Sequence, residues 1–212
     1  MKPIQTALAA ICLVGASGAA AQDFSITAGA TLTSRYMSDG LPLSKSPAFQ
    51  PFVELEASGF YAGLWASNTS LALAGARGEL DLYLGYRNEV GPLSYDLGYT
   101  RYIYLSPKDN CCGEAHFEMG YAVTDMLNTG GRLAYDPSSK KLNTSATLGL
   151  APVENLSLDA TIGQINRGGH RYWSAGGSYA FGDGVSASAA WHDTNIDKGR
   201  AVFSLDYSFN IR

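Results

Sequence analysis

The 212-residue chain is poor in the residues on which most site chemistry relies. It has 3 cysteines and 3 histidines, and only 16% of its residues are charged. The few Cys and His show no paired ligand motif of a structural metal site, and neither metal nor cofactor is expected. No segment reaches the roughly eighteen consecutive apolar residues of a membrane-crossing helix, and mean hydropathy is near neutral. A multi-pass helical protein is excluded. Runs of Ala, Glu, Lys and Leu at helical spacing are missing as well. With 15 Lys and Arg against 19 Asp and Glu, there is no basic face, so nucleic acid is not an expected partner.

What is present points to an all-β chain. There are 24 Gly and 13 Tyr, and Ser and Thr recur throughout. At the start, Lys2 precedes a short apolar stretch from Ile4 to Val14, and Ala19-Ala20-Ala21 supplies the small residues of a cleavage site. This predicts a signal peptide over 1–21 and an exported mature chain, 22–212, forming one domain. Cys12 follows Ile11, which is not small, so lipidation is not expected.

The stretch GELDLYLGYR, residues 78–87, alternates without a fault: Glu79, Asp81, Tyr83, Gly85 and Arg87 on one face, Leu80, Leu82, Leu84 and Tyr86 on the other. Such a strand has one polar and one apolar face. Alternation of this kind recurs over 24–33, 49–57, 59–67, 78–87, 92–104, 114–124, 129–136, 141–150, 155–165, 171–181, 184–192 and 201–211. Each is close to the roughly nine to eleven residues of a tilted strand crossing a bilayer. The connections alternate in length. Longer ones at 34–48, 68–77, 105–113, 137–140, 166–170 and 193–200 are separated by brief Gly- and Asn-bearing turns such as Ser58-Gly59 and Gly182-Asp183-Gly184. An up-and-down barrel collects the long loops at one end and the short turns at the other.

Which face looks inward follows from the aromatics. Phe60, Tyr86, Tyr95, Tyr121, Tyr179, Phe181, Tyr207 and Phe209 fall near the turn end of the apolar face. Ile103, Tyr135, Trp173, Trp191 and Phe203 fall near its loop end, with Leu64, Leu82, Leu97, Met119 and Leu205 between. Aromatic belts around an aliphatic waist match lipid interfaces, whereas a soluble core puts its largest side chains deepest. The leucines therefore face lipid and the charges face the lumen. Arg101 and Arg171 share the outward face near the loop end. There they can snorkel toward lipopolysaccharide phosphates, unless the register is off by one residue.

The segment SGFYAGLWASN (58–68), with TSRY (33–36) upstream and ELDLYLGY (79–86) and SYDLGY (94–99) downstream, resembles the TorF-type porins of proteobacteria. The likeness covers the first half well; the second half agrees in strand-and-turn pattern. The resemblance implies an outer-membrane barrel of porin type and carries no catalytic residues onto this chain. Two departures stand out. Asp39 precedes Gly40 where the family often has Arg, and the chain ends Phe209-Asn210-Ile211-Arg212 rather than on an aromatic.

The expected lumen-facing set is Glu54, Glu56, Tyr61, Trp65, Glu79, Asp81, Tyr83, Arg87, Asp96, Tyr102, His116, Glu118, Arg132 and Asp159, with Glu114 beside them. Its excess of carboxylates favours cations if the lumen holds water; the plainer reading is that these groups pair and fill it. Tyr61, Trp65, Tyr83 and Tyr102 either form a ring-stacking track or fill space. Cys111 and Cys112 are candidates for a loop disulfide, or for a soft-metal site with Asp109 or His116 that no second cluster supports. His170 and His192, beside Ser174 and Asp193, allow a Ser-His-acid set to be drawn, but no motif surrounds it. The sequence thus predicts a single antiparallel up-and-down transmembrane β-barrel of about twelve strands in a Gram-negative outer membrane. It would be a non-enzymatic channel for small solutes and ions, touching lipid and lipopolysaccharide, with its oligomeric state open. A closed barrel that binds partners through its loops is the alternative.

Overall fold

The computed structural model describes residues 24–107 and 109–211, and the side chains of all of these but 109–111. The signal-peptide expectation over 1–21 lies outside the described residues. The strands are β1 (Phe24–Thr33), β2 (Met37–Ser38), β3 (Leu41–Pro42), β4 (Ala48–Ala57), β5 (Phe60–Asn68), β6 (Gly78–Val90) and β7 (Leu93–Leu105). They continue with β8 (Asp109–Ala122), β9 (Leu127–Asp136), β10 (Lys141–Val153), β11 (Leu156–Ile165), β12 (Arg171–Gly182), β13 (Val185–Thr194) and β14 (Asp197–Asn210). One helical turn, α1 (Leu71–Ala74), sits between β5 and β6.

Twelve of these strands close into an antiparallel barrel in the order β1-β14-β13-β12-β11-β10-β9-β8-β7-β6-β5-β4. Closure leaves no sheet edge, the condition for crossing lipid with strands. The seam pairs Thr27 with Asn210 and Thr33 with Ser204. Ser58-Gly59 and Asp183-Gly184 turn tightly because both residues of each pair take positive φ: 52° and 83°, then 50° and 77°. That is the backbone of the primed hairpin turns, whose twist suits the flanking strands.

The barrel is inside out relative to a soluble domain. Leu82 is 40% exposed and Leu84 59%, while Glu79 and Asp81 are 1% and 0% exposed. At the turn end the outer aromatics touch: Phe60 and Tyr86 at 4.8 Å between ring centroids, Tyr86 and Tyr95 at 6.2 Å, Tyr179 and Phe181 at 5.2 Å. Arg101 pairs across from outward Leu82, and Arg171 neighbours outward Trp173 with Tyr172 turned in between them, so both arginines are on the lipid side.

On the inner face, large rings lie over glycines in the neighbouring strand. Tyr61 is the register partner of Gly85, Tyr83 of Gly63 and Tyr172 of Gly163. A Cβ at Gly85 would stand 2.4 Å from the Tyr61 hydroxyl, and one at Gly63 2.4 Å from the Tyr83 ring. These glycines are where the rings lie flat against the wall, a pairing that shields backbone a glycine would expose.

Two connections differ from the sequence expectation. The expected long loop 193–200 is a two-residue turn, because β13 and β14 run on past the membrane-facing belt to Thr194 and Asp197. Asp197 accepts from the Lys198 amide at 2.8 Å and from the Arg200 guanidinium at 2.9 Å, which tightens it. Loop 105–113 is likewise shortened, since β8 begins at Asp109. The larger difference is at 34–48, expected among the outside loops. It folds inward.

Candidate functional site

The inward loop follows from its own sequence. Tyr36, Met37, Leu41 and Leu43 make it too apolar for an outside loop, and Asp39-Gly40 is a hairpin signal between them. Asp39 and Gly40 take φ of 48° and 78°, and β2 and β3 pair through Met37–Pro42 and Ser38–Leu41. Tyr36 and Met37 are buried.

The hairpin crosses the lumen at the loop end. At its base the Tyr36 ring meets Trp65 of β5 edge-on at 5.4 Å, with Leu43, Phe52 and Tyr83 packed around. The Tyr36 amide donates to Ser44 Oγ at 2.9 Å, and the Ser70 amide donates to the Leu43 carbonyl at 2.8 Å. The tip reaches the far wall. Asn143 Nδ2 of β10 donates to Asp39 Oδ1 at 3.2 Å, and His170 Nε2, just before β12, donates to the Asp39 carbonyl at 2.7 Å. The Tyr172 hydroxyl donates to Asn143 Oδ1 at 3.0 Å, completing the clasp. Gly40 is required here: a Cβ would stand 2.6 Å from the Asp193 carbonyl oxygen.

Burial pushes the Asp39 carboxyl up to about 6, with Glu114 also raising it and Arg132 and its Tyr172 contact pulling it down. His170 and Asn143 face it from the same wall. A group whose pKa is higher when docked than when released binds its proton in the docked state, so docking is favoured as pH falls through about 6. We expect channel current to drop between pH 7 and pH 5 and this drop to vanish in Asp39→Asn, measured in planar bilayers.

Below the hairpin the two sides of the lumen differ. On β4–β9, charges are paired. Arg87 bridges Glu54 and Glu56 and lies 4.7 Å above the Tyr61 ring. The Tyr61 hydroxyl donates to Asp96 at 2.7 Å, and His116 Nε2 is 3.2 Å from the same oxygen. Arg132 Nε donates to Glu118 at 2.7 Å and its guanidinium is 3.6 Å from Glu114, which also accepts from the Tyr102 hydroxyl at 3.0 Å. On β10–β14 and β1 the inward residues are mostly small: Ser145, Thr161, Ser174, Gly176, Ser188 and Gly29 among them. Along this side Thr147 and Asp159 are inward in register yet exposed, so solvent reaches them from within the barrel.

All fourteen expected lumen residues thus sit on the inner face, but not as one site. Glu79, Asp81, Trp65 and Tyr102 gather under the hairpin; Glu54, Glu56, Arg87, Asp96, Tyr61 and His116 form a lower paired network; Asp159 stands apart on the small-residue side. Tyr36, Asp39, Gly40, Asn143, His170 and Tyr172 were not in the expected set, although Asp39-Gly40 carried the signal. His192 is across from Ser174 on the inner face while Asp193 is across from outward Trp173, so Asp193 does not join these two. Cys112 is disulfide-bonded and across from Tyr102; the side chain of Cys111 lies outside the described residues. Among the described residues no group of three or more His, Cys, Asp or Glu is placed to hold a metal ion.

A family profile described as bacterial protein of unknown function, Gcw_chp, matches residues 17–208. The chain belongs to the Gcw_chp family. Among curated proteins, none matches this Gcw_chp member by sequence. Its fold is similar to that of solved porins. KdgM porin superposes with a TM-score of 0.68 at 11% identity, covering 86% of this chain and 99% of that one. A second KdgM structure, in complex with disordered oligogalacturonate, gives 0.67 at 10% identity, covering 87% and 99%. NanC porin gives 0.58 at 9% identity, covering 86% and 98%. At such identities the likeness establishes the architecture, a closed barrel of porin type.

Proposed function

We propose that this Gcw_chp protein is a porin-like channel of the Gram-negative outer membrane, allied to the TorF-type porins, that passes small solutes passively with a bias toward cations. The observation that carries the reading is the pair of inward, solvent-exposed residues Thr147 and Asp159 on the small-residue side. Water inside a lipid-facing barrel is the requirement for conduction. The outward aromatics and the barrel neighbours support the location, and Arg101 and Arg171 are placed for lipid phosphate. No step of bond chemistry is invoked, because selection needs only charge and width.

The cation bias rests on the carboxylates. Glu54 and Glu56 share Arg87, and Glu114 and Glu118 share Arg132, so these groups largely cancel. Glu79 and Asp81 under the hairpin and Asp159 beside the open side lie outside the Arg87 and Arg132 pairs and add negative field to the lumen. A polyanion of the oligogalacturonate kind, as in the KdgM complex, would meet the wrong sign here.

The test is conductance and reversal potential of the refolded, heat-modifiable barrel in a planar bilayer under a KCl gradient. Steady current with cation preference, reduced in Glu79→Gln/Asp81→Asn, is the expected result. An inserted barrel that passes no current would refute the channel and leave the loop-binding alternative.

A further inference from the structure

We propose that a groove on the lipid side of β8–β12 seats one molecule of lipid A, the phosphorylated and acylated glucosamine anchor of lipopolysaccharide. A phosphate would rest on Arg171 and an acyl chain would lie over Gly131 and Ala146. The proposal rests on the outer-membrane reading above and is independent of conduction.

The groove follows from the register. Outward residues Met119, Gly131, Ala146, Ile162 and Trp173 succeed one another from β8 to β12. One step nearer the loop end, Phe117, Leu133, Thr144, Gln164 and Arg171 form a parallel row. The first row dips at Gly131 and Ala146, between Met119 and Leu133 on one side and Ile162 and Trp173 on the other. The dip opens a groove of about 880 Å³, with Arg171, Asp193 and Asn195 among its lining residues.

Gly131 is unlike the glycines of the inner wall. No ring lies over it: a Cβ there would meet only the Ser145 carbonyl oxygen, at 3.5 Å. A strand glycine with open space above it weakens the sheet, and such positions mark where a ligand approaches the backbone. Here the ligand must be apolar, because the walls are Phe117, Met119, Leu133, Ile162 and Trp173.

The head of the groove selects the lipid. Arg171 is exposed and has no carboxylate partner among the described residues. Its planar fork matches a phosphate in charge and shape. Asp193, the acid in the lining, accepts from the Thr194 amide at 2.7 Å and keeps acceptor capacity. The amide N–H and hydroxyl groups of an acylated glucosamine can donate to it; the ester-linked core of a phospholipid cannot.

The distribution of charge names the leaflet. Among the described residues, every Lys and Arg outside the Arg87 and Arg132 networks lies toward the loop end, with Lys140 and Arg167 in the loops above the groove. The turns at the opposite end carry Glu89, Asp125, Glu154 and Asp183. A positive rim at the loop end suits the phosphate-rich outer leaflet.

The experiment is native mass spectrometry of the refolded barrel from detergent micelles, titrated with diphosphoryl lipid A or with phosphatidylglycerol. One retained lipid A per barrel is expected, with phosphatidylglycerol held more weakly. Arg171→Gln should weaken retention roughly tenfold or more, the loss of a charge-assisted hydrogen bond. Gly131→Leu, which fills the groove where a Cβ has room, should weaken it as much. Arg101→Gln, on the outward face of β7 away from the groove, should change nothing. Heat-modifiable migration verifies that each variant folds. No retained lipid A, equal retention of phosphatidylglycerol, or a loss in fewer than both groove variants would overturn the proposal. So would a dimer that Gly131→Leu dissociates, which would give the groove to a second copy. An outer-membrane barrel that retains no lipid A sinks only this inference. One that binds lipid A in micelles but fractionates away from the outer membrane sinks the location instead.

Discussion

Removing the inward hairpin raises the single-channel conductance by roughly threefold or more, since the narrowest zone in series sets the resistance of a pore. The variant replaces residues 37–42 by two glycines, which still join Thr33 to Ala48 over the rim of the barrel. The cause is positional: the hairpin spans from Trp65 on one side to Asn143, His170 and Tyr172 on the other. A gentler variant, Gly40→Val, acts in the same direction. Its Cβ enters at 2.6 Å from the Asp193 carbonyl oxygen, and its φ of 78° is one that a β-branched residue resists, so the tip must leave its clasp. Recordings on both, beside the parent, decide the matter. Unchanged conductance in both would put the narrow zone lower, among the Arg87 pairs.

Arg132→Met destabilises the barrel by about 3–5 kcal/mol, the usual cost of stripping one member from a buried ion pair. The guanidinium is 15% exposed, bonds Glu118 at 2.7 Å and stands 3.6 Å from Glu114. Removing it leaves two carboxylates, four residues apart on the inner face of β8, without the cation they share. The matched change at Arg87, whose side chain is 40% exposed, costs only about 1 kcal/mol because water screens what remains. Urea unfolding in micelles, followed by tryptophan fluorescence, separates the two. Adding Glu118→Gln to Arg132→Met should recover part of the loss, since the residues act as one network. Equal small effects for both arginines would mean that the lumen around Arg132 is as wet as that around Arg87.

The strands were legible because alternation is a rule that each residue obeys separately. GELDLYLGYR shows its two faces without help from any partner, and the register places Glu79 and Asp81 inside as expected. The barrel count followed from turn chemistry at pairs such as Ser58-Gly59. The hairpin was harder to see. Alternation cannot run through two-residue strands, and the docking of Asp39 on Asn143 joins residues 104 apart in sequence. Its sequence signal, Asp39-Gly40 between apolar neighbours, indicates a turn but not which side of a barrel wall it occupies. The pairing of the inward charges was hidden for the same reason. Glu54 and Arg87 are single letters until the register brings β4 and β6 round the same stretch of lumen.

The two unlike sides of the lumen divide what the barrel can change from what it must keep. Most bulky inward residues on β4–β9 are tied to a neighbour by an ion pair, a hydrogen bond or a glycine seat, so substitution there disturbs several partners at once. On β10–β14 the inward serines have few such obligations, although Gly163 there seats the Tyr172 ring. Exchanging such a serine for a larger or smaller side chain alters calibre and little else. Descendants of this chain are thus free to resize the passage through their second half while inheriting its scaffold through the first.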